Sequence, residues 1–283
     1  MNQWGGGKPG RQAFNVFRFW KRMLPDQLKQ KAMVGWYNYI GRLNTNGEVL
    51  FLNHGFANPS IESPTLPEGL EKQRYPIQLY QYIISQANLS NKDVLEVSSG
   101  LGGGVSWIAL CLNPRSVTGL DIAADAVKAC RVRNKDTRVR FEIGDAQAMP
   151  FADGSFDAVV NVESSLNYPD FAAFLKEVAR LLRPGGHFMF ADYRSAKGYL
   201  RMKDALEQLN WRVLLAEDIS PSIVRGLEHT KVTTREQIQR FVPRFLQTTA
   251  IRFARLGKDK DDDALSFAVG KKRYLAMVLQ KPE

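Results

Sequence analysis

Cysteine and histidine are scarce in this chain, which has 2 Cys and 3 His among 283 residues. None of them falls at the spacing of a metal-binding cluster, so we expect no metal site. The two cysteines, Cys111 and Cys130, lie on segments that we predict to be helical. We expect both thiols to be buried packing groups in a reducing compartment.

Long apolar runs and targeting signals are also missing. No run approaches the roughly 18 apolar residues that a membrane-spanning helix requires. The N-terminus lacks the apolar segment and the small-residue cleavage site of a secretory signal. We therefore predict a cytoplasmic globular protein, in keeping with a composition that is 44% hydrophobic and 24% charged.

The net charge of +10 is scattered along the chain, with no arginine-rich arm and no nucleic-acid-binding motif. Such a charge suits an anionic membrane surface, an anionic substrate, a nucleic acid or simply a basic soluble protein. Because no motif supports a nucleic-acid partner, we expect none.

The most informative stretch is a short apolar segment that leads into a cluster of glycines. Residues 94–97 predict a buried strand, and residues 105–112 predict the start of an apolar helix. Between them, four glycines occupy five positions, 100–104. Glycine permits positive φ and close approach of a ligand, and a helix N-terminus offers free N–H groups to an anion. The stretch therefore predicts a small-molecule binding turn.

Two glycine patterns compete for this turn. A dinucleotide-binding fingerprint would need a third glycine at position 105, where the chain has Val105. The other pattern is acid-x-small-x-Gly-x-Gly, supplied by Glu96, Ser98, Gly100 and Gly102. It resembles motif I of the class I methyltransferases that use S-adenosylmethionine, with Ser98 where glycine is usual.

From residue 93 onward, strands and helices alternate, which predicts a parallel sheet with helices on both faces. We predict strands over residues 94–97, 116–120, 139–143, 158–162, 187–191, 211–218 and 274–280, the last one antiparallel. The expected fold class is α/β, with a Rossmann-like, doubly wound, mostly parallel seven-stranded sheet and helical lid and cap elements.

We divide the chain into four segments. We expect an N-terminal helical lid over residues 1–75 and a cofactor-binding core over 76–218. A helical cap insertion over 219–271 and a final strand of the core sheet over 272–283 complete the chain.

Acidic residues follow five of the predicted strands: Glu96, Asp121, Asp145, Glu163 and Asp192. Ligands of such sheets bind beyond the carboxyl ends of the strands. Five acids at one edge therefore predict a binding site there.

Each part of S-adenosylmethionine has a predicted partner at this edge. Its amino-acid end suits the glycine turn, and its ribose diol suits Asp121, 21 residues past Gly100. Its adenine amine suits Asp145, with the N–H of Ala146 beside it. The alternative role for both acids is helix N-capping. Two further residues complete the predicted cofactor set: Ile122 and Asn161.

A family resemblance extends over most of the chain and is strongest from about residue 80 to residue 192. The core resembles class I S-adenosylmethionine methyltransferases through residues 144–151, 155–157 and 182–186. More narrowly, it looks like the mycobacterial phthiotriol and phenolphthiotriol dimycocerosate methyltransferases through residues 51–53, 95–98 and 161–163. The resemblance implies O-methylation of a hydroxyl on an apolar lipid or polyketide-like small molecule.

The general base is harder to assign. Related small-molecule methyltransferases often carry a histidine just after the position of Glu163, and this chain has none there. Our candidates are His229, in the insertion after the sixth strand, His54, in a segment that should cover the methyl end of the cofactor, and Asp192. Glu163 is a weaker candidate for a base and is predicted to shape the substrate pocket.

The predicted substrate-binding residues are Glu163, Tyr168 and Phe56. Because alkenes need no strong base until after methyl transfer, the missing histidine keeps open C- or N-methylation of a prenyl- or sterol-like molecule. An RNA-modifying enzyme, suggested by the charge, is a less favoured alternative. The sequence does not determine the oligomeric state.

Aromatic and basic residues alternate over 12–40, which we predict to be helical. Such a stripe most often packs against the core. Two further hypotheses are a peripheral membrane contact and a lid over an apolar substrate.

Overall fold

The fold is built on one seven-stranded sheet. The computed structural model describes residues 26–44, 46–244, 247–248, 251 and 263–283. The strands are β1 (Asp93–Val97), β2 (Ser116–Asp121), β3 (Val139–Ile143), β4 (Phe156–Val162), β5 (Leu182–Ser195), β6 (Arg212–Asp218) and β7 (Lys272–Gln280).

Eight α-helices accompany the sheet within the described residues. They are α1 (Asp26–Leu43), α2 (Arg74–Ile84), α3 (Gly103–Cys111), α4 (Ala124–Arg133), α5 (Phe171–Leu181), α6 (Ala196–Glu207), α7 (Ser220–Phe241) and α8 (Asp263–Ala268). Within the part of the chain that the structure describes, no helix is both long and apolar enough to cross a bilayer.

The strand order is β3-β2-β1-β4-β5-β7-β6. The first five strands of this order pair in parallel, and β7 runs antiparallel to both β5 and β6. The interior strand β1 is apolar and buried on both faces, with Val94, Leu95 and Val97 fully buried, as expected of a parallel strand covered by helices. The structure confirms the predicted α/β, Rossmann-like architecture and the antiparallel last strand.

Helix α1 lies at the sheet's carboxyl edge and packs on α4. The Asn38 side-chain oxygen accepts a hydrogen bond from Asp125 N at 2.8 Å. Gly41 lies so close to α4 that an added Cβ would be 2.7 Å from Ala126 Cα. The predicted helix over residues 12–40 is confirmed from Asp26 onward, and the aromatic residues of 12–25 lie outside the described residues.

One sequence prediction about an element needs correction. Strand β5 continues to Ser195 rather than ending at residue 191, because β7 pairs with it along its whole carboxyl half. The predicted helical cap insertion over 219–271 contains two of the described helices, α7 and α8. Helix α7 ends at Phe241 and Val242 is extended, because the following Pro243 disfavours a helical residue before it.

The two cysteines differ in their environment. Cys130 is buried against the glycine turn, as predicted. Cys111 is exposed at the end of α3, so its prediction as a buried residue is wrong. The last turn of α3 presents its outer face to solvent, where Leu110 is also exposed.

Candidate active site

The turn between β1 and α3 is held in a left-handed backbone conformation at three positions. Ser98, Gly100 and Gly102 have φ values of 58°, 53° and 80°. Gly104 has no room for a side chain, since an added Cβ would lie 2.2 Å from a ring carbon of Tyr80 and 2.3 Å from Glu96 Oε1. The sequence pattern of small residues is therefore required by both conformation and packing.

Glu96 lies beneath this turn and is buried. The Tyr80 hydroxyl donates a hydrogen bond to Glu96 Oε1 at 2.5 Å. Burial raises the pKa of Glu96 to about 8, although the hydrogen bond from Tyr80 acts to lower it. Glu96 therefore has a structural role, packing beneath the turn.

Asp121 ends β2 and joins the turn to the next helix. Its Oδ2 accepts a hydrogen bond from Gly100 N, and its Oδ1 accepts one from Ala123 N, both at 2.8 Å. A carboxylate can accept about four hydrogen bonds, so acceptor capacity remains for a ligand. The N-cap residue of α4 is Ala123 and not Asp121. Helix N-capping, the alternative role given to Asp121, is therefore not its role here.

A cluster of hydroxyl groups lies beside the turn. Ser98 Oγ is 2.7 Å from the Tyr168 hydroxyl, which is 2.9 Å from Ser164 Oγ. Asn161 Nδ2 donates to both Ser164 Oγ and the Tyr168 hydroxyl. Burial raises the pKa of Tyr168, so its phenol stays protonated. Asn161 lies behind this cluster, and its Nδ2 is also 3.1 Å from Val97 O of β1, so its two N–H groups are shared among three acceptors.

A cavity of about 110 Å³ opens above the turn and the carboxyl ends of β1, β2 and β4. Six of the predicted site residues line it: Ser98, Gly100, Asp121, Ile122, Glu163 and Tyr168. Glu96, Gly102 and Asn161 support its wall from behind. The structure therefore brings most of the motif I residues and the end of β4 to one place.

The adenine-binding candidates lie outside this cavity wall. Asp145 Oδ1 accepts a hydrogen bond from Gln147 N at 2.9 Å, forming a turn rather than a helix cap. Ala146 is buried and packs in the hydrophobic cluster that contains Met149. Their predicted role therefore stays a prediction.

Helix α1 contributes wall residues that sequence reasoning did not assign individually. Tyr37, Met33 and Val34 line the cavity, and a Cβ added to Gly100 would lie 3.8 Å from a ring carbon of Tyr37. The aromatic pattern of this segment was the signal for a lid. Tyr80 is a further unassigned wall residue, on α2.

One end of the cavity is formed by Glu163, which follows β4 with a φ of 48°. Its Oε2 lies 2.5 Å from His54 Nδ1, and its Oε1 accepts hydrogen bonds from His54 N and the Tyr274 hydroxyl, each at 2.9 Å. His54 Nε2 lies 2.9 Å from Asp263 Oδ2. Burial alone would lower the pKa of His54, but the charge of Glu163 and the hydrogen bonds to both carboxylates outweigh it and raise the pKa to about 9.

Comparison with known proteins agrees with this geometry. The methyltransferase domain family matches residues 95–190. A fatty-acid O-methyltransferase from Mycolicibacterium smegmatis is 39% identical over 221 residues, 78% of this chain and 81% of that protein. A phthiotriol/phenolphthiotriol dimycocerosates methyltransferase from Mycobacterium tuberculosis is 37% identical over 219 residues, 77% of this chain and 81% of that protein.

The chain belongs to the S-adenosylmethionine-dependent methyltransferases. The fold of this methyltransferase also matches the crystal structure of a geranyl diphosphate C-methyltransferase from Streptomyces coelicolor. The TM-score is 0.62 at 14% identity, with coverage of 92% of this chain and 99% of that one. At this identity the likeness concerns the fold alone.

Among the predicted catalytic and substrate-binding residues of the methyltransferase, His54 contacts the cavity only through Glu163, and three others do not reach it. The first, Asp192, lies inside β5, fully buried, and accepts hydrogen bonds from Ser165 Oγ at 2.6 Å and Leu166 N at 3.1 Å. It was placed at the site because β5 was predicted to end before it. These hydrogen bonds give Asp192 a structural role within the strand, and its carboxylate does not face the cavity.

The other two, His229 and Phe56, were placed at the site by their position in the chain, and the structure turns both away. His229 is exposed on α7 and stacks on Tyr75, with ring centroids 4.3 Å apart. Phe56 is buried and stacks on Tyr82 at 4.7 Å, as part of the core. The neighbouring segment does line the cavity, through residues 50–53.

Proposed function

We propose that this methyltransferase transfers a methyl group to a hydroxyl oxygen of an apolar small molecule, such as a lipid or polyketide-like natural product. The observation that carries the proposal is the Glu163 carboxylate at a cavity walled by Tyr37, Phe51 and Leu52. A carboxylate next to aromatic and aliphatic side chains suits a hydroxyl on an apolar skeleton. The names of the two relatives, which concern a fatty acid and phthiotriol lipids, support the same substrate class.

S-adenosylmethionine is the proposed cofactor, and the polar groups present fit it. The turn from Ser98 to Gly104 and the N-terminus of α3 would hold its amino-acid end. Asp121 would accept the ribose hydroxyls with its remaining lone pairs, and Ile122 would pack on the base. Asp145 and Ala146 remain the proposed partners of the adenine edge. When bound, the cofactor supplies a methyl group on a positively charged sulfur.

The cavity must enlarge to admit this cofactor. Its volume of about 110 Å³ is well below the roughly 300–1,000 Å³ of ordinary small-molecule sites. Tyr37 on α1 lies over the turn, so we propose that α1 is a lid that moves outward for binding.

Glu163 is the proposed proton acceptor. It would receive the hydrogen bond of the substrate hydroxyl and take its proton as the oxygen attacks the methyl carbon in line. Alignment in the cavity supplies much of the rate, and a general base adds roughly 10²–10⁴-fold. His229 and Asp192 are not part of this proposal, because His229 is exposed on α7 and Asp192 is fully buried within β5, away from the cavity.

Product analysis with methyl-labelled S-adenosylmethionine tests the proposal. Long-chain alcohols, phenols, free fatty acids and prenyl alkenes are offered in parallel. We expect label on hydroxyl oxygen, and Glu163→Gln lowers kcat by about 10²–10⁴-fold. No transfer to any oxygen would overturn the proposal.

The alternative from the sequence is methylation of carbon or nitrogen. The missing histidine after Ser164 favours it, since an alkene needs no base until after transfer. Label on a prenyl carbon or on an amine in the same assay would favour this alternative.

We also propose the four-segment organisation: a lid over 1–75, a core over 76–218, a cap over 219–271 and a final strand over 272–283. The position of α1 over the cavity supports the lid. We also propose the peripheral membrane contact through the aromatic and basic residues of 12–40. We also propose that the protein is located in the cytoplasm.

A further inference from the structure

His54 is enclosed between two carboxylates at the acceptor end of the cavity. Nδ1 faces Glu163 Oε2 at 2.5 Å and Nε2 faces Asp263 Oδ2 at 2.9 Å. An ionised carboxylate only accepts hydrogen bonds, and a neutral imidazole has a single N–H to donate. Between two ionised carboxylates, both contacts are satisfied together only when the ring carries two protons, so the geometry favours an imidazolium.

The surrounding charges balance such an imidazolium. Lys272 Nζ bonds to the other oxygen of Asp263 and lies 5.0 Å from the Tyr193 ring centroid. Among the described residues, the order Glu163, His54, Asp263, Lys272 therefore alternates in sign, so each charge faces an opposite one. Buried charges persist in proteins when they are paired and hydrogen-bonded in this way.

Aromatic groups keep water from the network. The rings of Tyr193 and Phe267 approach His54 edge-on, with centroids 4.9 Å and 5.9 Å away. The side chains of His54 and Glu163 are only 12% and 8% exposed. A low local dielectric strengthens charge-assisted hydrogen bonds, so the clamp of Glu163 and Asp263 around His54 resists rearrangement.

We propose that His54 is a positioning residue, held as an imidazolium at neutral pH between Glu163 and Asp263, that keeps the Glu163 carboxyl group oriented toward the substrate hydroxyl. The inference rests on the proposed function of Glu163. It also links α8 in the cap to the cavity, since Asp263 is the first residue of α8. His54 itself then takes no proton from the substrate.

Because the pKa of His54 is raised to about 9, the contribution of this histidine to the stability of the fold depends on pH. Among the described residues, the titratable groups that face His54 are Glu163, Asp263 and Tyr193. Tyr274 is hydrogen-bonded to Glu163, and Lys272 is hydrogen-bonded to Asp263. The ordinary pKa of histidine is near 6.5. The stability from the clamp is therefore fully present below pH 6.5 and is lost as pH rises through 9.

Side-chain NMR of ¹⁵N-labelled histidine in the full chain tests the charge state directly, because the chain has only three histidines. His187→Asn and His229→Gln assign the other two signals, so His54 is identified without altering the clamp. We expect the His54 ring to be doubly protonated at pH 7.5 and to titrate near pH 9. Titration at or below pH 6.5 would overturn the proposal.

Kinetics of Asp263→Asn test the positioning role. We expect His54 to titrate at lower pH in this variant and kcat to fall about tenfold or more, within the range of general-base effects. KM for S-adenosylmethionine stays within about twofold, because Asp263 lies outside the cofactor wall. The matched control His229→Gln keeps the wild-type pH profile of kcat.

The two proposals fail in different ways. An unchanged kcat and an unchanged pH profile in both Asp263→Asn and His54→Gln would overturn the positioning role while leaving oxygen methylation intact. Failure of the wild type to methylate any oxygen would overturn the proposed function, whatever the NMR titration shows. The melting temperature of each variant separates misfolding from loss of positioning.

Discussion

Ser98 combines an unfavourable backbone conformation with a useful hydrogen bond. Its φ of 58° is rare for a residue with a side chain, and its Oγ contacts the Tyr168 hydroxyl at 2.7 Å. A non-glycine residue in this region costs about 1–3 kcal/mol. Glycine, the residue usual in motif I, would relieve the strain and lose the hydrogen bond.

We therefore expect Ser98→Gly to change the free energy of unfolding by less than about 1 kcal/mol, because two opposed effects of similar size cancel. Ser98→Ala keeps the strain and loses the hydrogen bond, so it should be less stable than Ser98→Gly by about 1 kcal/mol. Urea denaturation of the three proteins measures both differences. Equal stability of the glycine and alanine variants would show that the turn is not strained.

Glu96 predicts a pH dependence of stability. Burial raises its pKa from an ordinary value of 4.5 to about 8. Between these pH values the folded protein holds a proton that the unfolded chain releases. Stability therefore falls as pH rises from 4.5 to 8, by at most about 1.4 kcal/mol per pH unit.

In Glu96→Gln we expect the decline of stability with pH to be smaller than in the wild type over this window. The exposed Glu62 provides the control, since Glu62→Gln leaves the decline unchanged. Urea midpoints between pH 5 and pH 8 measure the difference. Parallel curves for all three proteins would contradict a buried, protonated Glu96.

At the scale of single residues, the sequence located residues at the cavity where a motif fixes both position and backbone. Asp121 and Ser98 line the cavity because each lies at the carboxyl end of a strand of the parallel sheet. Asp192 and His229 could not be placed, because their environment depends on how far β5 extends and on which face α7 turns outward. Pairing of β5 with β7, about 80 residues further along the chain, decides the first of these.

At the scale of elements, α1 is held on α4 by close backbone contact at Gly41. A Cβ there would lie 2.7 Å from Ala126 Cα and 2.8 Å from Ala126 N, both backbone atoms that cannot yield easily. A Cβ added to Gly35, in the same helix, would have no atom within 4 Å. The two glycines form a matched pair for testing the lid.

We expect Gly41→Ala to destabilise the fold by about 1–3 kcal/mol through overpacking and to weaken binding of S-adenosylhomocysteine by displacing the lid. Gly35→Ala should stabilise α1 by up to about 1 kcal/mol, because alanine is the better helix former. Thermal unfolding and calorimetric titration measure both effects. Equal affinities in the two variants would contradict a lid role for α1.

The core elements were predictable because strands and helices alternate with turn residues between them. The position of α1 was not, since its contacts with α4 join residues more than 80 positions apart, such as Asn38 and Asp125. The residue pattern indicated its helical character and left three roles open. The packing of Tyr37 over Gly100 favours the lid among them.

At the scale of the whole molecule, the charge of +10 is what suggested the RNA-modifying alternative. The dependence of activity on salt distinguishes that alternative from methylation of a small molecule. An RNA-binding enzyme loses affinity steeply with salt, because each phosphate contact releases counterions. We expect KM for an uncharged lipid alcohol to change less than about threefold between 50 and 200 mM salt, against the roughly 10³–10⁵-fold of a polyanion site. A steep loss of activity on an RNA substrate with salt would contradict this.

The central claim is that a methyl donor lies across the carboxyl edge of the sheet, with its ribose on Asp121. Calorimetric titration of S-adenosylhomocysteine into the wild type, Asp121→Ala and the exposed-site control Asp153→Ala measures it most directly. We predict binding by the wild type and the control, and a loss of about 10–100-fold in Asp121→Ala, as expected for hydrogen bonds to a charged group. Unchanged affinity in Asp121→Ala, or no binding by the wild type, would contradict the account.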